Sequence, residues 1–194
     1  MAEMLEIRWH GRGGQGAKTA AILLADAAAA AGKYIQAFPE YGPERMGAPV
    51  VSYNRISNEP ILLHSSVANP RYVAVLDPTF IGTMNLTAGV PDGGSIIINT
   101  SHPKSEIAHR LDIGDRDIRV YAVDASRISE EEIGRPIPNT PMLGALVRVI
   151  QILSLDELLQ EMERKLEKKF RNKPEVIDGN LRAIRRAYQE VADQ

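Results

Sequence analysis

Four glycines within six residues, set directly between an apolar strand and an alanine-rich helix, leave this chain few folds to adopt. The stretch Glu6-Ile7-Arg8-Trp9-His10 runs into Gly11-Arg12-Gly13-Gly14-Gln15-Gly16, and Ala17-Lys18-Thr19 opens a helix that continues to about Ala31, with Gly32 as its stop. Glycines in such a strand-to-helix turn let the backbone approach a ligand at a helix N-terminus, where free amides favour anions. The same glycines also permit a tight crossing and close helix–sheet packing with no ligand at all.

The turn satisfies the dinucleotide fingerprint G-x-G-x-x-G, as Gly11, Gly13 and Gly16. That reading asks for an acidic residue at the end of the second strand to hold a ribose. Glu40, after strand Tyr34–Phe38 and Pro39, lies close to the required position. A free-standing NAD(P)-binding oxidoreductase domain is therefore one alternative. The P-loop spacing fails, because Ala17 displaces Lys18-Thr19 by one residue, a rotation of about 100° on a helix.

Strands are expected at Pro49–Ile56 and Ile61–His64, separated by the turn-rich Ser57-Asn58-Glu59-Pro60 and forming a β-hairpin. Further strands are expected at Tyr72–Leu76, Ser95–Asn99 and Ile118–Val123, with a short helical segment after Asp77-Pro78. The polar tips Asp77, Asn99 and Asp124 fall on one sheet edge. Three helices follow: one capped by Asn139-Thr140-Pro141 and running to about Ile152, one opened by the capping box Ser154–Glu157 and running to about Phe170, and one from about Glu175 onward. The pattern predicts an α/β fold, a doubly wound and mostly parallel sheet with an inserted β-hairpin and C-terminal helices. It is expected as one domain, with the sheet in residues 1–135 and the helical part in 136–194.

Composition narrows the chemistry. A net charge of −2 gives no electrostatic basis for general binding to nucleic acid or an anionic membrane. The N-terminus lacks a basic segment followed by an apolar one, and the alanine-rich stretch around 20–31 is too short and too weakly hydrophobic to span a bilayer, so a cytoplasmic protein is expected. Without cysteine the chain offers no disulfide, no thiolate ligand for an iron–sulfur cluster and no cysteine nucleophile. His10, His64, His102 and His109 show no metal-ligand spacing. The basic residues of the last two helices, among them Arg164, Lys165, Arg182 and Arg186, read as a solvated face paired with nearby glutamates.

The loop Glu40-Tyr41-Gly42-Pro43-Glu44-Arg45-Met46-Gly47-Ala48-Pro49 leaves the second strand on the same edge as the glycine turn. Its arginine suits carboxylate or phosphate recognition. The segment Asn139-Thr140-Pro141-Met142-Leu143-Gly144-Ala145 brings small residues to a helix start, where packing against a neighbour is the expected role.

Together the glycine turn, the FPEYGPERMGAPV loop, the NTPMLGALVRV segment and the closing KPEVIDGNLRAIRRAYQEV resemble the gamma subunit of 2-oxoacid:ferredoxin oxidoreductases. The likeness extends over nearly the whole chain. The GPERxGAPV pattern is similar to the pyruvate and branched-chain 2-ketoacid branch, nearest to the pyruvate synthase type, although Met46 stands where many members carry a charged or polar residue. The resemblance implies a Rossmann-like domain that does not use NAD as substrate. It further implies a non-catalytic subunit beside alpha, beta and delta chains in a complex that converts pyruvate and coenzyme A to acetyl-CoA and CO2 and reduces ferredoxin. Thiamine diphosphate, Mg2+ and [4Fe–4S] clusters would belong to those other chains. By the same resemblance, Gly11, Arg12, Gly13, Gly14, Gln15, Gly16 and Arg45 are expected to border coenzyme A or a subunit interface, with no catalytic and no metal-binding residue on this chain.

Overall fold

The computed structural model describes residues 4–40, 46–111 and 113–191. Strand β1 (Leu5–Arg12) leads through the glycine turn into helix α1 (Ala17–Ala30), followed by β2 (Tyr34–Pro39) and β3 (Pro49–Ser57). Then come β4 (Tyr72–Val75), a single 3-10 turn (Pro78–Phe80), β5 (Gly94–Asn99), α2 (Lys104–Arg110), β6 (Ile118–Val123), α3 (Ala125–Ile133), α4 (Asn139–Ile150), α5 (Leu155–Lys169) and α6 (Pro174–Glu190). The six strands form one sheet in the order β2-β3-β1-β4-β5-β6. Strands β1, β4, β5 and β6 run parallel, while β3 lies antiparallel between β1 and β2.

This order corrects the expected hairpin partner. The antiparallel unit is β2 with β3, whereas Ile61–His64 forms no strand. Both edges of β3 are already taken by β1 and β2, so 61–64 cannot pair with β3 as the expected hairpin requires. Helix α3, which the sequence reading had not marked, starts at Asp124, whose carboxylate accepts the Arg127 amide, and ends at Gly134 in the left-handed region. Helix α4 begins at Asn139 rather than being capped by it, and stops at Ile150 because Gln151 turns left-handed (φ 53°). The Ser154–Glu157 capping box forms as expected.

Alternation along the central strands buries both faces, as parallel sheets require. Ile7 and Trp9 of β1, Ala74 of β4 and Ile97 of β5 join the large core with α1, α3, α4, α5 and α6. Val73, Val75, Ile96 and Ile98 face a smaller core closed by Phe80, Ile81, Leu86, Val90 and α2. Trp9 is fully buried and donates its indole N–H to Asn54 Oδ1 (2.7 Å), while Asn54 Nδ2 donates to the Ala21 carbonyl (2.8 Å). That chain ties β1, β3 and α1 together and satisfies each buried polar atom it uses. The indole therefore sits in the core, away from any ligand at the turn.

The C-terminal helices close the large core by near-contact of backbones. A methyl group at Gly144 of α4 would collide with the Ile184 carbonyl of α6, and one at Gly179 of α6 with the Glu132 carbonyl of α3. The small residues of both segments thus serve packing. The basic residues pair largely across helices: Lys165 with Asp26 of α1 (2.7 Å), Arg182 with Glu132 (2.8 Å) and Arg127 with Glu190 (2.9 Å), alongside Arg164–Glu161 within α5.

On the opposite face of β1, Arg8 donates to the Leu86 and Ala88 carbonyls, both at 2.9 Å. His10 is buried, and neither ring nitrogen has a hydrogen-bond partner among the described residues. Burial, with a smaller contribution from the Arg8 charge, pulls its pKa down to about 3. The unfolded chain takes up this proton near pH 6.5 and the folded chain does not, so His10 removes stability as pH falls from there toward 3. Replacing His10 with leucine should abolish a loss of about 2 kcal/mol between roughly pH 7.5 and pH 5. Urea unfolding at both pH values checks this: equal pH dependence in the two proteins would refute it. Gly144→Ala should cost about 1–3 kcal/mol by forcing α4 and α6 apart, read as a lowered thermal midpoint.

Candidate functional site

The glycine turn stands at the carboxyl ends of the parallel strands, together with the start of β3. Gly14 and Gly16 adopt positive φ (101° and 84°), so a side chain at either would be strained, and at Gly16 it would also strike Asn139. Gly11 keeps negative φ but packs closely: a methyl group there would lie 3.1 Å from Ala17 Cβ. The turn closes on itself through Gln15 N–H to the Arg12 carbonyl (3.0 Å) and Arg12 N–H to Gln15 Oε1 (2.7 Å). It is also stitched to the end of the β2–β3 loop, since Gly13 N–H donates to Ala48 O (2.9 Å) and Gly47 N–H to Gly13 O (3.1 Å). The two loops that the sequence placed on one edge do meet.

In an open α/β sheet, ligands usually enter the crevice where connections leave two parallel neighbours in opposite directions. Here that point lies between β1 and β4, and the chain fills it with its own side chains. Asp77, just past β4, accepts Arg12 Nε (2.9 Å) and Gln15 Nε2 (2.8 Å) on Oδ2, and the Thr79 amide (2.9 Å) and hydroxyl on Oδ1. Arg12 also donates to Thr79 Oγ1 (2.8 Å) and the Gly47 carbonyl (3.2 Å), and its guanidinium stacks 4.8 Å from the centre of the Phe80 ring. Burial alone would raise the Asp77 pKa. The Thr79 and Gln15 hydrogen bonds and the Arg12 charge outweigh burial and hold it below the ordinary aspartate value. Its stabilising contribution is therefore present above about pH 4 and is lost as pH falls through the lowered folded value.

The acid required by the dinucleotide reading is also misplaced. Glu40 directly follows β2, but β3 intervenes between β2 and β1, and the Glu40 carboxylate accepts the Tyr53 hydroxyl (2.8 Å). The geometry departs from a nucleotide fold at both of its fixed points.

What remains open is the outer side of the turn. A cavity of ≈ 450 Å³ is lined by Arg12, Gly13, Gly14, Gly16, Ala17, Lys18, Thr19, Met46 and Val50. The first intrahelical donor of α1 is Ala20, bonded to Gly16 O, so the amides of Ala17, Lys18 and Thr19 belong to the helix start, which no side chain caps. Lys18 is exposed at this rim, whereas Gly11 and Gln15 turn inward and line none of the cavity. Arg45 lies outside the described residues. The sequence reading missed Asp77 as a partner of the turn, and Thr79, Phe80 and Asn139 with it. A polar residue immediately after a strand was the available signal. Among the described residues, no cluster of His, Asp or Glu is arranged to hold a metal ion, and no helix is long and apolar enough to cross a membrane.

The pyruvate ferredoxin/flavodoxin oxidoreductase family model matches residues 6–190. The chain is 47% identical to pyruvate synthase subunit PorC of Thermotoga maritima over 186 residues, spanning 96% of this chain and 94% of the relative. It is 41% identical to the pyruvate/ketoisovalerate oxidoreductases common subunit gamma of Pyrococcus furiosus, spanning 97% of each. The crystal structure of pyruvate oxidoreductase subunit PORC from Thermotoga maritima superposes with a TM-score of 0.80 over 96% of both chains at 44% identity. The 2-oxoglutarate:ferredoxin oxidoreductase from Magnetococcus marinus shares the fold, with a TM-score of 0.79 at 20% identity over 99% of this chain and 32% of that one. The chain belongs to the pyruvate ferredoxin/flavodoxin oxidoreductase family.

Proposed function

We propose that this chain is the gamma subunit of a multi-subunit pyruvate:ferredoxin oxidoreductase, the complex that oxidatively decarboxylates pyruvate to acetyl-CoA and CO2 with reduction of ferredoxin. The observation that carries this reading is the end-to-end match, in sequence and in shape, to PorC subunits of about the same length. The chain's role is structural, beside alpha, beta and delta chains in the cytoplasm. A cysteine-free sequence has no thiolate for [4Fe–4S] clusters, which on this reading sit in the other subunits together with thiamine diphosphate and Mg2+.

The outer side of the glycine turn, with Gly13, Gly14, Gly16 and Arg45, borders coenzyme A in the assembled enzyme. Support comes from the cavity at an uncapped helix start with Lys18 at its rim, since free amides and a cation suit phosphate. Arg12 lines the same cavity while pairing with Asp77, whereas Gln15 acts from behind, through Asp77. The Pyrococcus relative is named as common to pyruvate and ketoisovalerate oxidoreductases, and a second reading is that this chain is likewise shared with a branched-chain 2-ketoacid enzyme.

Affinity capture of the tagged chain from its source under anaerobic conditions tests the assignment. The expected result is copurification with iron–sulfur and thiamine-diphosphate chains and a pyruvate- and coenzyme A-dependent reduction of viologen. Capture of two different catalytic sets would establish the shared-subunit reading, and a lone chain binding NAD(H) would overturn both. In the intact complex, Arg45→Ala should raise the coenzyme A KM by about tenfold, equivalent to about 1.4 kcal/mol, with kcat unchanged. Loss of assembly instead would assign Arg45 to the subunit interface.

A further inference from the structure

We infer that Asp77 is the positioning residue of the glycine turn: its carboxylate draws Arg12 and Gln15 into the crevice between β1 and β4, closes it, and thereby presents the turn's outer side to ligand. Each carboxylate oxygen accepts two donors, Thr79 N–H and Oγ–H on one, Arg12 Nε and Gln15 Nε2 on the other. An ionised carboxylate is the side chain that offers only acceptors to such a set. With its side chain 7% exposed, Asp77 is held from both sides of the crevice and not merely decorated by a surface arginine.

Gln15 returns from Asp77 to accept the Arg12 amide, and Arg12 reaches over to the Gly47 carbonyl. A single anion on the β4 side thus sets the backbone of the turn and its junction with the 46–48 segment. An anionic ligand entering between β1 and β4 would have to displace Asp77 from Arg12, so ligand chemistry at this turn is confined to the outer side, bounded by Gly13, Gly14, Lys18 and the outer flank of Arg12. That last step rests on the coenzyme A reading; the positioning itself does not.

Asp77→Asn tests it in the assembled enzyme. The amide keeps one acceptor but places an NH2 group against the Arg12 and Gln15 donors. Hydrogen exchange of peptides spanning 11–17 and 46–50 should accelerate about tenfold or more, while peptides of β5 and β6 stay unchanged. The coenzyme A KM should rise with kcat unchanged, and adding Gln15→Glu should restore part of both effects by returning a carboxylate to the pair. If exchange at the turn accelerates and the KM does not move, Asp77 still positions the turn and the coenzyme A reading fails. Unchanged exchange at the turn refutes the positioning role whatever the kinetics. Thr79→Val, which removes one of the donors at the exposed rim, gives the same test in milder form should Asp77→Asn fail to assemble.

Discussion

An antiparallel strand inserted beside β1 governs how the rest of the molecule is arranged, because it separates β1 from the strand that follows α1. In a dinucleotide-binding sheet the first two strands are neighbours, and an acid at the end of the second reaches a ribose held at the first. Here β3 occupies that place, carrying Asn54 to the Trp9 indole and the Ala21 carbonyl on one face. On the other face Tyr53 holds Glu40. Moving one strand changes what the glycine turn faces: on one side the end of a β-hairpin loop, on the other Asp77.

The electrostatics follow from that placement. A helix start and a glycine turn form a partly positive region that would otherwise attract an anion. On the β4 side the chain supplies the anion itself, as Asp77, and matches it with Arg12 and Gln15. A paired, hydrogen-bonded carboxylate at the edge of the core remains charged without the penalty of an isolated one. On the β3 side no described carboxylate does the same, and Lys18 stands at the rim. The two sides of one turn therefore have opposite characters, one internally neutralised and one open.

Most of the element order was legible because apolar runs and turn or capping residues mark it locally. The short apolar runs 72–76, 95–99 and 118–123 read as strands from their composition and bounding turns, and Ser154–Glu157 announces a helix by local chemistry alone. Strand pairing was not legible. Nothing in Ser57-Asn58-Glu59-Pro60 reveals that both edges of β3 are already used, so a local hairpin was the natural expectation. Helix α3 was missed because its apolar positions are few and Asp124 reads equally as a strand tip or a cap. The site divided in the same way. The glycines and their meeting with the 46–48 segment could be read from the order of elements, but the direction of Arg12 depends on Asp77, which is remote in sequence and adjacent only once β1 and β4 pair.

The glycine fingerprint here is thus a statement about backbone rather than about nucleotide. Gly11 clears Ala17, Gly16 clears Asn139, and Gly14 supplies a left-handed turn, three requirements that hold with or without a phosphate nearby. A fold that meets them for packing reasons retains an uncapped helix start as a by-product, and such a start is attractive to any anion brought against it. In a domain that binds alone, the crevice between parallel strands would be the place to bring one. In a subunit, the outer side of the turn is the better place, because a neighbouring chain can supply the opposite wall. On the proposed coenzyme A reading, closing the inner crevice with Asp77 and leaving the outer side open suits a domain whose ligand site is completed by neighbouring subunits.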